Sequence, residues 1–97
     1  MTPAGKTTPA LATLRSELSA LDADLIALLK RRIELARLVG AEKRAAGLPT
    51  LDPRREAQVV ASAARLARQA GLPEEAVRDI FWPVVSMCRR AQQEDAT

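Results

Sequence analysis

Between Leu11 and Ala46 one apolar pattern limits what this chain can become. Leu11, Leu14, Leu18, Leu21, Leu25, Leu28, Leu35 and Val39 recur at alternating spacings of three and four. That rhythm draws a single stripe along one helix, close to a heptad seam. The stripe is interrupted: Arg32 stands where the apolar residue after Leu28 belongs. Lys43 follows eleven residues later, about three helical turns on, and points nearly the same way.

Local signals bound this helix. Thr8-Pro9 supplies a hydroxyl N-cap and a proline at the first helical position, where its missing N–H costs nothing. Gly47 and Pro49 stop it. A helix from residue 9 to about Ala46 would be about 55 Å long at ~1.5 Å per residue. A compact monomer of this size has a radius of gyration near ~13 Å, hence a diameter of roughly 30–35 Å. Such a helix exceeds any globule the chain can form alone, and the remaining residues are too few to cover its stripe. A second chain is the simplest cover. Gly40 lies inside the helix at a cost of about 1 kcal/mol relative to Ala, and a close backbone approach is one reason it could be there.

Two shorter helices are expected next. Asp52-Pro53 repeats the start signal, and the second helix runs from about Pro53 to Ala70, with Gly71 at its end. Its inward side is read as Arg55, Val59, Ala63 and Leu66, with Glu56 beside Arg55. Pro73, Glu74 and Glu75 open the third, with acids suited to the helix dipole. It presents Val77, Phe81, Val84, Val85, Cys88 and Gln92 on one stripe, with a kink expected near Asp79 to Pro83. The expectation is all-α: one long and two shorter helices in a single domain spanning residues 9–94. Residues 1–8 and 95–97 are expected to be flexible ends.

Composition narrows the function. The chain has 97 residues, 47% hydrophobic, with Phe81 and Trp82 its aromatic residues, so a core must use Leu, Val, Ile and Ala. One cysteine, Cys88, and no histidine exclude an internal disulfide and argue against a zinc site of the Cys/His type; no metal and no cofactor are expected. No run is long and apolar enough to span a membrane, and residues 1–8 lack a signal-peptide core, so a soluble cytoplasmic protein is expected. A net charge of +3 admits an anionic partner, although a spread of arginines over solvated faces explains it as simply.

Inward-facing polar residues are more telling. Arg32, Lys43, Arg55, Glu56 and Gln92 all fall on or beside apolar stripes. Buried charges are costly unless they are paired. Internal ion pairs, such as Arg32 with Glu56, or a device fixing the register of a bundle would explain any one of them. Together they show a cationic excess that Glu56 alone must answer, and the alternative is an anion in a pocket walled by Leu and Val. Arg15 lies seventeen residues before Arg32, about 25 Å along the axis. A small metabolite cannot touch both from one straight helix, so Arg15 can serve such a pocket only in a partner chain.

The run Leu14-Arg15 through Leu21-Asp22, then Leu28 to Ala36, Val39-Gly40-Ala41-Glu42-Lys43 and Asp52-Pro53-Arg54-Arg55-Glu56 resembles the all-α chorismate mutases. The resemblance extends over about residues 11 to 93. Its specific part is the ordered set Arg15, Arg32, Lys43, Asp52, Arg55, Glu56 and Gln92. It implies an intertwined homodimer of three-helix chains with two equivalent sites, each completed by an arginine from the other chain's first helix.

The resemblance also implies roles. Arg15 of the partner and Arg32 would each grip one carboxylate of a dicarboxylate substrate, which suits the planar fork of arginine. Lys43 and Gln92 would donate to the ether oxygen of the breaking bond. Glu56 would accept from the ring hydroxyl, while Arg55 and Asp52 orient the enolpyruvyl side and the rim. Val39, Val59 and Val85 would form apolar walls, and Cys88 would stand near the substrate, where family members often carry a small hydroxyl. Cys88 also reads simply as a small buried apolar residue.

The implied reaction is the intramolecular rearrangement of chorismate to prephenate by a free-standing enzyme. It needs no nucleophile, metal or proton transfer. Holding the reactive conformer and stabilising charge on the ether oxygen would supply the rate. Related activities on 4-amino-4-deoxychorismate, or pyruvate elimination from isochorismate, are the alternatives within the class. A basic helical dimer binding nucleic acid is the alternative outside it, and the shortage of aromatic residues for base stacking disfavours that reading. A purely structural coiled coil is a third. Neither nucleic acid nor membrane is expected as a partner.

Overall fold

A computed structural model describes residues 8–94. The expected flexible ends lie outside the described residues, apart from Thr8. Three helices account for the described chain: α1 (Pro9–Ala45), α2 (Pro53–Gln69) and α3 (Glu74–Glu94), with no strand among the described residues. Each boundary falls within a residue or so of its sequence signal. The chain divides into two compact units, Met1–Lys30 and Arg31–Thr97.

In the first unit, Thr8 caps α1: the Leu11 N–H donates to Thr8 Oγ1 at 3.0 Å. The leucine stripe of this unit faces outward in the single chain. Leu14, Leu18, Leu21, Leu25 and Leu28 are all more than half exposed. Lone exposed leucines are ordinary, but a continuous row of them is not.

The second unit holds the end of α1 together with α2 and α3. The ends of α1 and α2 use the same device. Gly47 sits at φ 71° and Gly71 at φ 75°, a region where a side chain is strained. The Leu48 N–H reaches back to the Lys43 carbonyl and Gly47 N–H to that of Arg44; Leu72 and Gly71 do the same to Ala67 and Arg68. These are Schellman caps, and they turn the chain sharply after α1 and α2. Asp52 begins α2, its Oδ1 accepting from the Arg55 N–H at 3.1 Å. Helix α3 runs through Pro83 without ending there.

Small residues make this unit's core: Ala36, Val60, Ala63, Ala64, Ala67, Val85, Cys88 and Ala91 are buried. The face that α2 buries is therefore Val60, Ala63, Ala64 and Ala67, which corrects the expected phase. Leu66, read as inward, is 62% exposed. Alanines let α2 and α3 approach closely, and that packing outweighs the pull of one larger leucine. Gly40 is also buried. A Cβ placed there would lie 3.1 Å from Cβ and Cγ of Gln92, so glycine is what lets α3 pass this close to α1.

Candidate active site

The second unit contains a cavity of about 230 Å³. The end of α1 lines it with Arg32, Leu35, Ala36, Val39 and Lys43; the following loop adds Thr50 and Asp52. Helix α2 contributes Arg55, Glu56 and Val59, and α3 contributes Val85, Cys88, Arg89 and Gln92. The helical period explains the selection. Arg32, Ala36, Val39 and Lys43 share one face of α1, as Val85, Cys88, Arg89 and Gln92 share one of α3.

Every sequence-predicted site residue except Arg15 thus borders one cavity. Arg15 lies on an exposed part of α1 in the first unit. Val39, Val59 and Val85 line the cavity, joined by Leu35 and Ala36.

The polar groups are partly tethered. Arg32 donates to Cys88 Sγ at 2.9 Å, and Lys43 Nζ to the Thr50 carbonyl at 3.3 Å. Arg44 donates to the Gln92 carbonyl at 3.1 Å, which ties the end of α3 to α1. Glu56 is held by a guanidinium from α3: Arg89 Nε meets Oε2 at 2.9 Å and its Nη2 meets Oε1 at 3.0 Å. This is the bidentate fork that makes arginine–carboxylate pairs strong. An internal pair of Arg32 with Glu56, one of the explanations open for their inward placement, does not form: Glu56 takes Arg89 instead. The side-chain oxygen of Gln92 is buried without a hydrogen-bond partner among the described residues. Such an atom is costly unless a ligand answers it, and a half-turn of the amide presents a donor instead.

Four cationic side chains line this cavity against two carboxylates. Asp52 is engaged in the α2 cap and Glu56 by Arg89. Arg32, Lys43 and Arg55 therefore face the cavity with no carboxylate pairing them among the described residues. Such a site suits a small anion with more than one negative group. Among the described residues no group of three or more His, Cys, Asp or Glu side chains could hold a metal ion, and no helix is long and apolar enough to cross a membrane.

A sequence model of the family "Chorismate mutase type II" matches residues 14–93. The chain belongs to that family. Its relatives carry several different names. A 4-amino-4-deoxychorismate mutase of Streptomyces pristinaespiralis is 34% identical over 95% of this chain and 70% of its own length. A T-protein of Enterobacter agglomerans is 34% identical over 90% of this chain and 21% of its own length. A 3-dehydroquinate dehydratase of Pyrobaculum aerophilum is 41% identical over 95% of this chain and 26% of its own length. The chain thus spans only about a quarter of the Pyrobaculum protein and a fifth of the T-protein.

For a chorismate mutase family member, the residue that sequence reasoning missed is Arg89. The pair Arg89-Arg90 hides it among ordinary surface charge. A signal is there: Arg89 follows Val85 by four residues and precedes Gln92 by three, which puts it on the shoulder of the same stripe. Thr50 escapes sequence reasoning because it takes part through its backbone, which residue type does not reveal.

Proposed function

We propose that this chain converts chorismate to prephenate, with residues 9–94 as the catalytic domain. The observation that carries this reading is the convergence of Arg32, Lys43 and Arg55, unmatched by carboxylates, with the unpartnered amide oxygen of Gln92 in one apolar-walled cavity. Arg32 grips one substrate carboxylate in a two-bond fork. Lys43 donates to the ether oxygen, where negative charge grows as the C–O bond breaks, and Gln92 donates to it from the other side. Glu56 accepts from the ring hydroxyl. Arg55 and Asp52 orient the enolpyruvyl group.

No proton changes hands in such a rearrangement. The rate comes from holding the folded conformer and from donors fixed in advance where charge develops. At about 230 Å³ the cavity lies below the ~300–1,000 Å³ of common ligand pockets. That fits a small metabolite in a site to which a second copy adds a wall. In this reading two copies intertwine, the exposed leucine stripe of α1 is buried between them, and Arg15 of the partner subunit grips the second carboxylate.

The test is purified protein supplied in parallel with chorismate, 4-amino-4-deoxychorismate and isochorismate. Prephenate from chorismate is expected. Lys43→Ala is expected to lower kcat by about 100- to 1000-fold, the usual cost of losing one such donor. Near-normal turnover by that variant would refute the assignment. The Streptomyces relative, named for a 4-amino substrate, makes that analogue the second reading.

A further inference from the structure

We propose that Arg89 is a specificity-determining residue that sets this site for a neutral ring hydroxyl and against a ring ammonium. The inference rests on the chorismate reading above and deepens it.

The substrates of the two readings differ at one ring position, a hydroxyl in one and an amine, protonated near neutral pH, in the other. Glu56 is the cavity carboxylate assigned to that position. A bare carboxylate would welcome an ammonium as an ion pair. This one is not bare: both its oxygens accept from Arg89, at 2.9 and 3.0 Å, and the pair is partly buried, with side-chain exposures of 34% for Arg89 and 17% for Glu56. The fork leaves each oxygen a lone pair, enough for one hydroxyl hydrogen. It also cancels the charge that would attract an ammonium and sets a guanidinium beside it.

The surroundings act in the same direction. Arg32 and Lys43 from α1 and Arg55 from α2 face the same cavity, and the remaining acid, Asp52, is engaged in the α2 cap. A cationic substituent would thus meet two carboxylates that are already engaged, one of them by a guanidinium, and like charges brought together at close range are strongly disfavoured. Arg89 does this through Glu56, so it is a positioning residue whose signature is a changed substrate preference.

The experiment compares kcat/KM for chorismate and for 4-amino-4-deoxychorismate in the intact protein and in Arg89→Met, Arg89→Lys and Glu56→Gln. The intact protein is expected to prefer chorismate by about 100-fold, expressed mainly in KM. Arg89→Met frees the carboxylate and should bring that ratio below about 10-fold, with the amino substrate gaining in absolute terms. Arg89→Lys keeps the charge and should keep the preference. Glu56→Gln leaves Arg89 uncompensated and should widen the ratio, a result that tests the proposal even if Arg89→Met fails to fold. Equal use of both substrates by the intact protein, or an unchanged ratio in Arg89→Met and Glu56→Gln, overturns the inference and leaves the chorismate reading standing. Turnover of neither substrate overturns that reading itself, and the inference with it.

Discussion

Gln92 is where a single side chain carries most of the chemical argument. Its amide needs no proton to donate, and the chain has no histidine, so activity should be flat from about pH 5 to 8. Gln92→Glu changes this. The ionised carboxylate accepts rather than donates and repels the growing charge on the ether oxygen; only the protonated form can replace the amide. The variant should be most active at the acid end of that range and fall steadily above it, as a rate profile of both proteins would reveal. Equal, flat profiles would remove Gln92 from the ether contact. The cations at Arg32 and Lys43 were legible in sequence because Arg32 interrupts an apolar rhythm and Lys43 follows it about three turns on along the same face. Arg89 was not, because it interrupts nothing and its partner Glu56 lies thirty-three residues away.

The helices show how such residues are held in place. Gly40 lets α3 seat Gln92 against α1, and an added methyl would meet Gln92 Cβ and Cγ at 3.1 Å. Gly40→Ala gains up to about 1 kcal/mol in helix propensity and loses it in pushing Gln92 aside. The expected result is little change in melting temperature with a fall of about tenfold in kcat, since a small misplacement of a positioning group is costly. Unchanged kcat would mean that the approach is structural alone. The α2–α3 junction has its own lock. The Arg68 guanidinium hydrogen-bonds Glu74 and lowers its pKa below the usual 4.5, with Arg78 adding to the effect. The folded protein therefore binds fewer protons here than the unfolded chain. The stabilisation is present above about pH 4.5 and disappears as pH falls through the lower folded-state value. Urea midpoints measured between pH 5 and 3 should decline more for the intact protein than for Glu74→Gln. Helix limits were readable from Thr8, Asp52, Gly47 and Gly71 because caps are local chemistry. The phase of α2 was not: Leu66 weighs heavily in an apolar pattern, yet α2 packs through alanines, whose small size becomes decisive only against a particular neighbour.

At the scale of the whole molecule, a core of alanine, valine and cysteine coexists with a row of outward leucines. The length of α1 announced that mismatch in advance, since a leucine stripe of that span needs a cover. In the proposed function two intertwined copies would resolve it and would bring Arg15 of the partner subunit to the cavity holding Arg32 and Lys43. Arg32→Leu separates this from a purely structural bundle: it should abolish turnover while leaving the dimer intact or firmer. Enzyme assays beside sedimentation will show whether activity and assembly part in that way. The sharpest measurement mixes two disabled chains. Arg15→Ala and Lys43→Ala are each expected to be nearly inactive. When unfolded together in equal amounts and refolded, they form mixed dimers in which one of the two sites carries both defects and the other carries none. Activity should return to about one quarter of the intact protein's, as random pairing in a two-fold dimer requires. A mixture no more active than its components would contradict a site shared between two copies.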